Sequence, residues 1–277
     1  MTLSVRNNFF RGGIVLASLS LGLVVLAGYF AYPAFPEAIS SSAMRSEGMI
    51  QSLMEGLIEP LAYIPFWAIF CAVLYSLVSL IMILYYFEKT QSSEILFIGF
   101  FVLSLAFEFA RIVVPFRMIF SFPAEYLVTA SRVLLFGRHF GLFSLFAASV
   151  YAAGLDSQNQ YNISSVLVLA AIVIAVNVPI DSLVWDSSFM LWNGYRSMFH
   201  MLEIGILIVS MVTFFISAYT RGSVNYVFIG IGAFFMLAGR NILINSDTLI
   251  ALIPGATILI IATLFVCDKL HKEYLWL

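Results

Sequence analysis

The chain has 277 residues, of which 62% are hydrophobic and 10% charged, with a formal net charge of −2 and a mean hydropathy of +1.02. Soluble domains carry about 25% charged residues, so the composition excludes an ordinary soluble fold and predicts an all-α, polytopic membrane bundle. No basic patch is large enough for nucleic acid, no soluble catalytic domain fits, and no CxxC, HExxH, P-loop, GxSxG or dinucleotide-binding pattern occurs.

Residues 1–12 are polar and carry Arg6 and Arg11. The apolar run Gly13 to Tyr32 follows, about 20 residues and long enough to span. Tyr29 and Tyr32 stand two residues before Ala31 and Ala34, so the small-x-small cleavage pattern of a signal peptide is missing. Residues 1–32 are therefore expected to be a transmembrane anchor with its N-terminus in the cytoplasm. Residues 33–60 are the longest polar interval, an extracytoplasmic linker opened by Pro33 and Pro36. Within it Met49-Ile50, Leu53-Met54 and Leu57-Ile58 recur every four residues, which predicts an amphipathic surface helix. At roughly 28 residues the interval is too short for a separate folded sensor domain.

Seven further spans are expected over 61–267. The second covers 61–87 and ends in the interfacial aromatics Tyr85-Tyr86-Phe87, and Glu88 to Glu94 forms a short cytoplasmic loop. The third, 95–115, contains Glu108 and Arg111 and exits at Pro115. The fourth, 125–153, contains Arg132, Arg138 and His139 together with Gly137-x-x-x-Gly141. The glycine pair permits close helix contact, or accommodates the bulk of nearby phenylalanines. After a polar inner loop at 155–164, the fifth span, 165–185, carries Asn177, Pro179 and Asp181 toward its outer end. Trp185, Trp192 and Tyr195 suit an outer interfacial segment. The sixth span, 197–219, begins with His200 and Glu203; the seventh, 226–245, ends in Gly239-Arg240-Asn241; the eighth is 248–267. Residues 268–277 are expected to be a cytoplasmic tail. Cys71 and Cys267 fall at different depths, so no disulfide is expected.

Basic residues support this orientation. Expected inner segments hold Arg6, Arg11, Lys89, Arg221, Lys269 and Lys272, against Arg45, Arg117 and Arg196 outside. Both termini are thus placed in the cytoplasm, in a bacterial-type inner membrane.

The intramembrane polar residues are then expected to share one depth. Following the direction of each span puts Glu108, Arg111, Arg132, Asp181, His200, Glu203, Arg240 and Asn241 in the outer half and Arg138-His139 near the middle. The inner halves are almost free of charge. Charged groups inside a bilayer face the bundle interior or a wet cavity. One pair, Glu108 with Arg111 three residues on, can be explained as packing alone. Five helices contributing at one depth favour a polar pocket open to the outside, and a closed ion-pair clamp is the alternative. Four arginines against Glu108, Asp181 and Glu203 make the set net positive, suited to an anionic small molecule held by guanidinium forks. His139 and His200 differ in depth, so bis-histidine haem is not expected, and His200 with Glu203 lacks a second histidine for a metal. No cofactor and no catalytic residue are predicted.

Spans two to eight resemble, over about 61–270, the seven-helix core of the bacterial seven-transmembrane receptors with diverse intracellular signalling modules. The resemblance is carried by Tyr86-Phe87-Glu88-Lys89 with Glu94-Ile95-Leu96, by Asn225-Tyr226 through Gly239-Arg240-Asn241-Ile242-Leu243, and by Asp268-Lys269. It implies a sensor. Residues 33–60 and 268–277 are too short for that family's extracellular and output domains, so the resemblance implies action through a separate membrane or signalling partner. The leading expectation is a non-enzymatic receptor-like or partner-binding subunit embedded in the lipid bilayer. A small-anion transporter is the second reading and an intramembrane lipid-modifying enzyme the third.

Overall fold

The computed structural model describes residues 2–31, 63–90, 92–120, 123–155, 159–180 and 184–275. Most of these residues are helical; the longest non-helical stretch among them is 184–195, which holds one isolated bridge between Trp185 and Leu191, and there is no strand among the described residues. Among the described residues, eight helices are long and apolar enough to cross a membrane. In chain order the helices are α1 (Leu3–Ala31), α2 (Ile64–Phe87), α3 (Ser93–Ser104), a 3₁₀ stretch (Leu105–Ile112), α4 (Val113–Phe120), α5 (Ala124–Ala152), α6 (Gln160–Asn177), α7 (Arg196–Arg221), α8 (Asn225–Ile244) and α9 (Leu249–Leu275). The third span runs without a break from α3 through the 3₁₀ stretch into α4.

Local chemistry sets most boundaries. Ser92 caps α3, its hydroxyl accepting from the Ile95 N–H at 3.3 Å. Pro65 occupies the first turn of α2, where its missing N–H costs nothing. Gly222, at φ +64°, ends α7 in the left-handed conformation usual after a helix. The fifth span differs from expectation. Its helix begins at Gln160 and stops at Asn177, because Pro179 forces Val178 out of the helical region to ψ 124°. Helix α1 starts at Leu3, so the polar residues 3–12 are part of it. Helix α9 runs through the expected tail to Leu275, where Lys272 pairs with Asp268 at 2.8 Å one turn away. The linker of 33–60 and its expected amphipathic helix lie outside the described residues.

Span three is the centre of the bundle. Every residue from Ser93 to Val102 is buried, as befits a helix apolar all round. It packs against α5, while α1 and α2 flank its other side. Phe97 stacks on Tyr151 of α5 at 5.0 Å. Helices α8 and α9 form the closest pair: a Cβ on Gly239 would lie 2.7 Å from the Leu259 nitrogen, and one on Gly255 2.7 Å from the Leu243 nitrogen. In lipid such contact, rather than a hydrophobic driving force, holds helices together. Helices α6 and α7 are the least enclosed spans.

The start of α1, the 87–92 turn and the end of α9 meet at one end of the bundle, here the terminal end. The Arg6 guanidinium donates there to the carbonyls of Phe87 at 2.5 Å, Glu88 at 3.3 Å and Thr90. Those carbonyls lie at the C-terminus of α2, where a cation is favoured. The opposite end carries the segment 184–195.

Candidate functional site

The site begins in the 3₁₀ stretch. Three residues per turn place i and i+3 in line, so Glu108 and Arg111 face the same way, with Arg111 Nη1 3.3 Å from Glu108 Oε2. Eight residues is long for a 3₁₀ run. It ends just before Pro115, which lacks the N–H that would have bonded the Arg111 carbonyl in an α-helix. Arg138 of α5 holds the other side of the carboxylate, donating from Nε to Oε1 at 2.9 Å and from Nη2 to Oε2 at 3.0 Å. This is the bidentate fork that favours arginine over lysine. Glu108 and Arg111 are each only 2% exposed.

The glycine pair brings Arg138 into reach. A Cβ on Gly137 would lie 2.6 Å from Phe107 Cβ, and one on Gly141 2.8 Å from Ser104 Cβ. Both expected explanations therefore hold: α5 approaches the third span closely, and Phe107 is the bulk that Gly137 accommodates.

The segment 184–192 closes over this cluster as a small hairpin. Asp186 organises it: Oδ1 accepts from the N–H groups of Ser188 and Met190, both at 3.0 Å, and from the Ser188 hydroxyl at 2.7 Å. The Asp186 N–H donates to the Met190 carbonyl at 2.8 Å, and the Trp192 N–H to the Val184 carbonyl at 2.9 Å. Trp185, Phe189 and Leu191 pack against Val114 and Leu127. Arg111 Nη2 donates to the Ser188 carbonyl. Arg138 Nη1 points at the Met190 sulfur, 2.9 Å away. The sequence marked Trp185 and Trp192 only as residues suited to an interfacial segment; that this segment folds over the arginines was not readable there. The Asp186-Ser187-Ser188 turn signature was the available clue.

A second ion pair lies beside the first. Arg240 of α8 donates from Nη2 to Glu203 Oε1 of α7 at 2.7 Å and from Nη1 to the Arg138 carbonyl at 3.3 Å. Between α5, α7, α8 and Met190 lies a cavity of about 260 Å³. Of the ten residues expected at the site, Arg138, His139, His200, Glu203, Arg240 and Asn241 line it. Glu108 and Arg111 stand behind Arg138, paired and buried. Arg132 is exposed and lines neither this cavity nor the depression next to it. Asp181 lies outside the described residues. Asn193, Arg196 and Asn245 line the cavity too. Arg196, His200 and Asn245 also border a wider depression reached past Ser187 and Ser188.

His139 has an ordinary structural role as well. Its Nδ1 lies 2.8 Å from the Leu135 carbonyl, and its ring meets Phe199 edge-on at 5.0 Å. Among the described residues no group of three or more His, Cys, Asp or Glu could hold a metal ion.

The expectation that polar groups gather at one end needs correction. Glu94, assigned to a loop, is 2% exposed at the terminal end. It accepts from Tyr274 Oη at 2.5 Å and Ser92 Oγ at 3.0 Å, and faces Arg221 Nη2 at 3.7 Å. Arg221 in turn donates to Tyr226 Oη at 2.6 Å and the Tyr151 carbonyl at 3.2 Å. The third span thus carries two buried carboxylates far apart along its length, and each is paired with one arginine from a later span, Arg221 for Glu94 and Arg138 for Glu108.

Compared with known protein families, characterised proteins and solved structures, the chain has no match.

Proposed function

We propose that the chain is a receptor-like or partner-binding subunit of a bacterial-type inner membrane that takes an anionic small molecule from the extracytoplasmic side. The excess of basic residues in the segments of the terminal end supports a cytoplasmic position for that end and an outer one for the 184–192 hairpin. The observation that carries the reading is the cavity itself: Arg138, Arg196 and Arg240 converge on it against one carboxylate, Glu203. A buried ion-pair clamp alone needs no such space. Clamp and pocket coexist here, with Glu108 and Arg111 as the dry part and the cavity in front of Arg138. The buried Glu94 cluster across the terminal end favours one-sided binding. The seven-helix receptor resemblance supports the same reading and adds a separate signalling partner.

A small-anion transporter is the second reading. The tight winding at Leu105–Ile112 favours it, since irregular backbone at the depth of a site is common in such proteins. One experiment separates the two. With Cys71 and Cys267 replaced, single cysteines are placed at Arg196, His200 and Asn245, and at Ala148 and Thr213 as controls. An impermeant thiol reagent is applied from either side of oriented vesicles. Labelling of the first three from outside only is expected. Labelling from both sides would mean transport, and protection at all three would mean a closed clamp.

A further inference from the structure

The cavity lining is mixed: the arginines and Asn241 alternate along the same helices with Leu135, Leu142, Phe199 and Ile244. The donors of the lining are not equally free. Arg240 is only 4% exposed, and its three nitrogens are engaged by Glu203, the Arg138 carbonyl and Asn241. Arg138 spends Nε and Nη2 on Glu108. Its Nη1 faces only the Met190 thioether, a weak acceptor for a guanidinium N–H. Arg196, exposed at the mouth, stacks on Trp192 with 5.8 Å between guanidinium carbon and ring centre. The lining therefore offers one guanidinium N–H inside that is held only by a thioether and one exposed cation at the entrance, enough for a single acidic head. The volume, about 260 Å³, is just under the ~300–1,000 Å³ common for ligand pockets.

Building on the pocket reading above, we infer that the ligand is a small amphiphilic anion: one carboxylate or phosphate head set on Arg138 Nη1 and Arg196, with an apolar body against Leu135, Leu142, Phe199 and Ile244. The head replaces a thioether by a charged acceptor, which strengthens the Arg138 bond. The body covers apolar lining that water would otherwise wet. The same chemistry is presented by a free short-chain acid and by the phosphate of a bilayer lipid.

Thermal melting of the purified chain in a neutral maltoside detergent tests this with hexanoate, hexyl phosphate, acetate, inorganic phosphate and hexanol. Hexanoate or hexyl phosphate is expected to raise the melting temperature saturably, while acetate, inorganic phosphate and hexanol at equal concentration do not. Arg196→Gln, at an exposed rim position, should weaken the apparent affinity about tenfold, as for loss of one charge-assisted hydrogen bond. Phe199→Ala should weaken it without changing the preference for acid over alcohol. Repeating the titration in nanodiscs with rising phosphatidic acid identifies the source: competition means a lipid head group, its absence a free acid. Equal shifts from inorganic phosphate and hexyl phosphate would overturn the amphiphile and leave the anion pocket standing. Equal shifts from hexanol and hexanoate would overturn the anion as well. No shift from any probe would overturn both.

Discussion

Glu108 is shared by two arginines, and this decides what its removal does. Arg138 binds both carboxylate oxygens at 2.9 and 3.0 Å, whereas Arg111 reaches one at 3.3 Å. Removing one partner of a buried pair leaves an uncompensated charge and costs about 3–5 kcal/mol. Glu108→Ala strands two arginines, so it should be the most damaging single change in the cluster. Double-mutant cycles by thermal melting should give coupling within the usual range of about 0.5–3 kcal/mol for contacting residues, larger for Glu108 with Arg138 than with Arg111. A larger coupling to Arg111 would mean that the local i,i+3 pair dominates after all. Such a pair can be guessed from spacing; the stronger partner, thirty residues on, cannot.

At the scale of elements, the approach of α5 to the third span sets the site's geometry. Gly141 faces Ser104 so closely that a methyl group there would lie 2.8 Å from Ser104 Cβ. Gly141→Ala should therefore destabilise the fold by about 1–3 kcal/mol, the usual cost of overpacking. Adding Ser104→Gly removes the atoms in the way and should recover most of the loss. Gly12→Ala, where nothing lies within 4 Å, should be silent in the same melting assay. If Ser104→Gly gives no rescue, the two helices are not in contact at this level. The glycine spacing was visible in the sequence. Its partner face was not, because the passage from α3 at Ser104 into the 3₁₀ winding that carries Phe107 leaves no trace in hydropathy.

At the scale of the molecule, the third span joins two polar layers, Glu108 at the hairpin end and Glu94 at the terminal end. The Glu94 layer ties the last turns of α9 to the start of α3 through Tyr274. A second tie runs from Glu273, which accepts from Ser223 at 2.6 Å and Asn225 at 2.9 Å. Glu94→Ala leaves Tyr274 without its acceptor and Arg221 without its carboxylate. Amide hydrogen exchange should then speed up over 268–275 and stay unchanged around the hairpin at 184–192. Unchanged exchange in 268–275 would show that the Glu273 contacts alone hold the helix end.

Composition and the length of the apolar runs determined the helical membrane bundle by themselves, because a bilayer admits few other ways to satisfy the backbone. The same runs located the spans but missed several of their ends: the helix of the first span begins already at Leu3, that of the fifth stops at Asn177 ahead of Pro179, and that of the last continues to Leu275. Following span direction also brought Arg138, His139, His200, Glu203, Arg240 and Asn241 to one cavity, since depth along a span is nearly one-dimensional information. Azimuth is not. Which way a side chain points around its helix depends on the neighbours it meets, so only the tertiary structure separated exposed Arg132 from enclosed Arg138. Only it drew Glu94 inside, folded the 184–192 hairpin over Arg111, and left one guanidinium nitrogen of Arg138 facing a thioether.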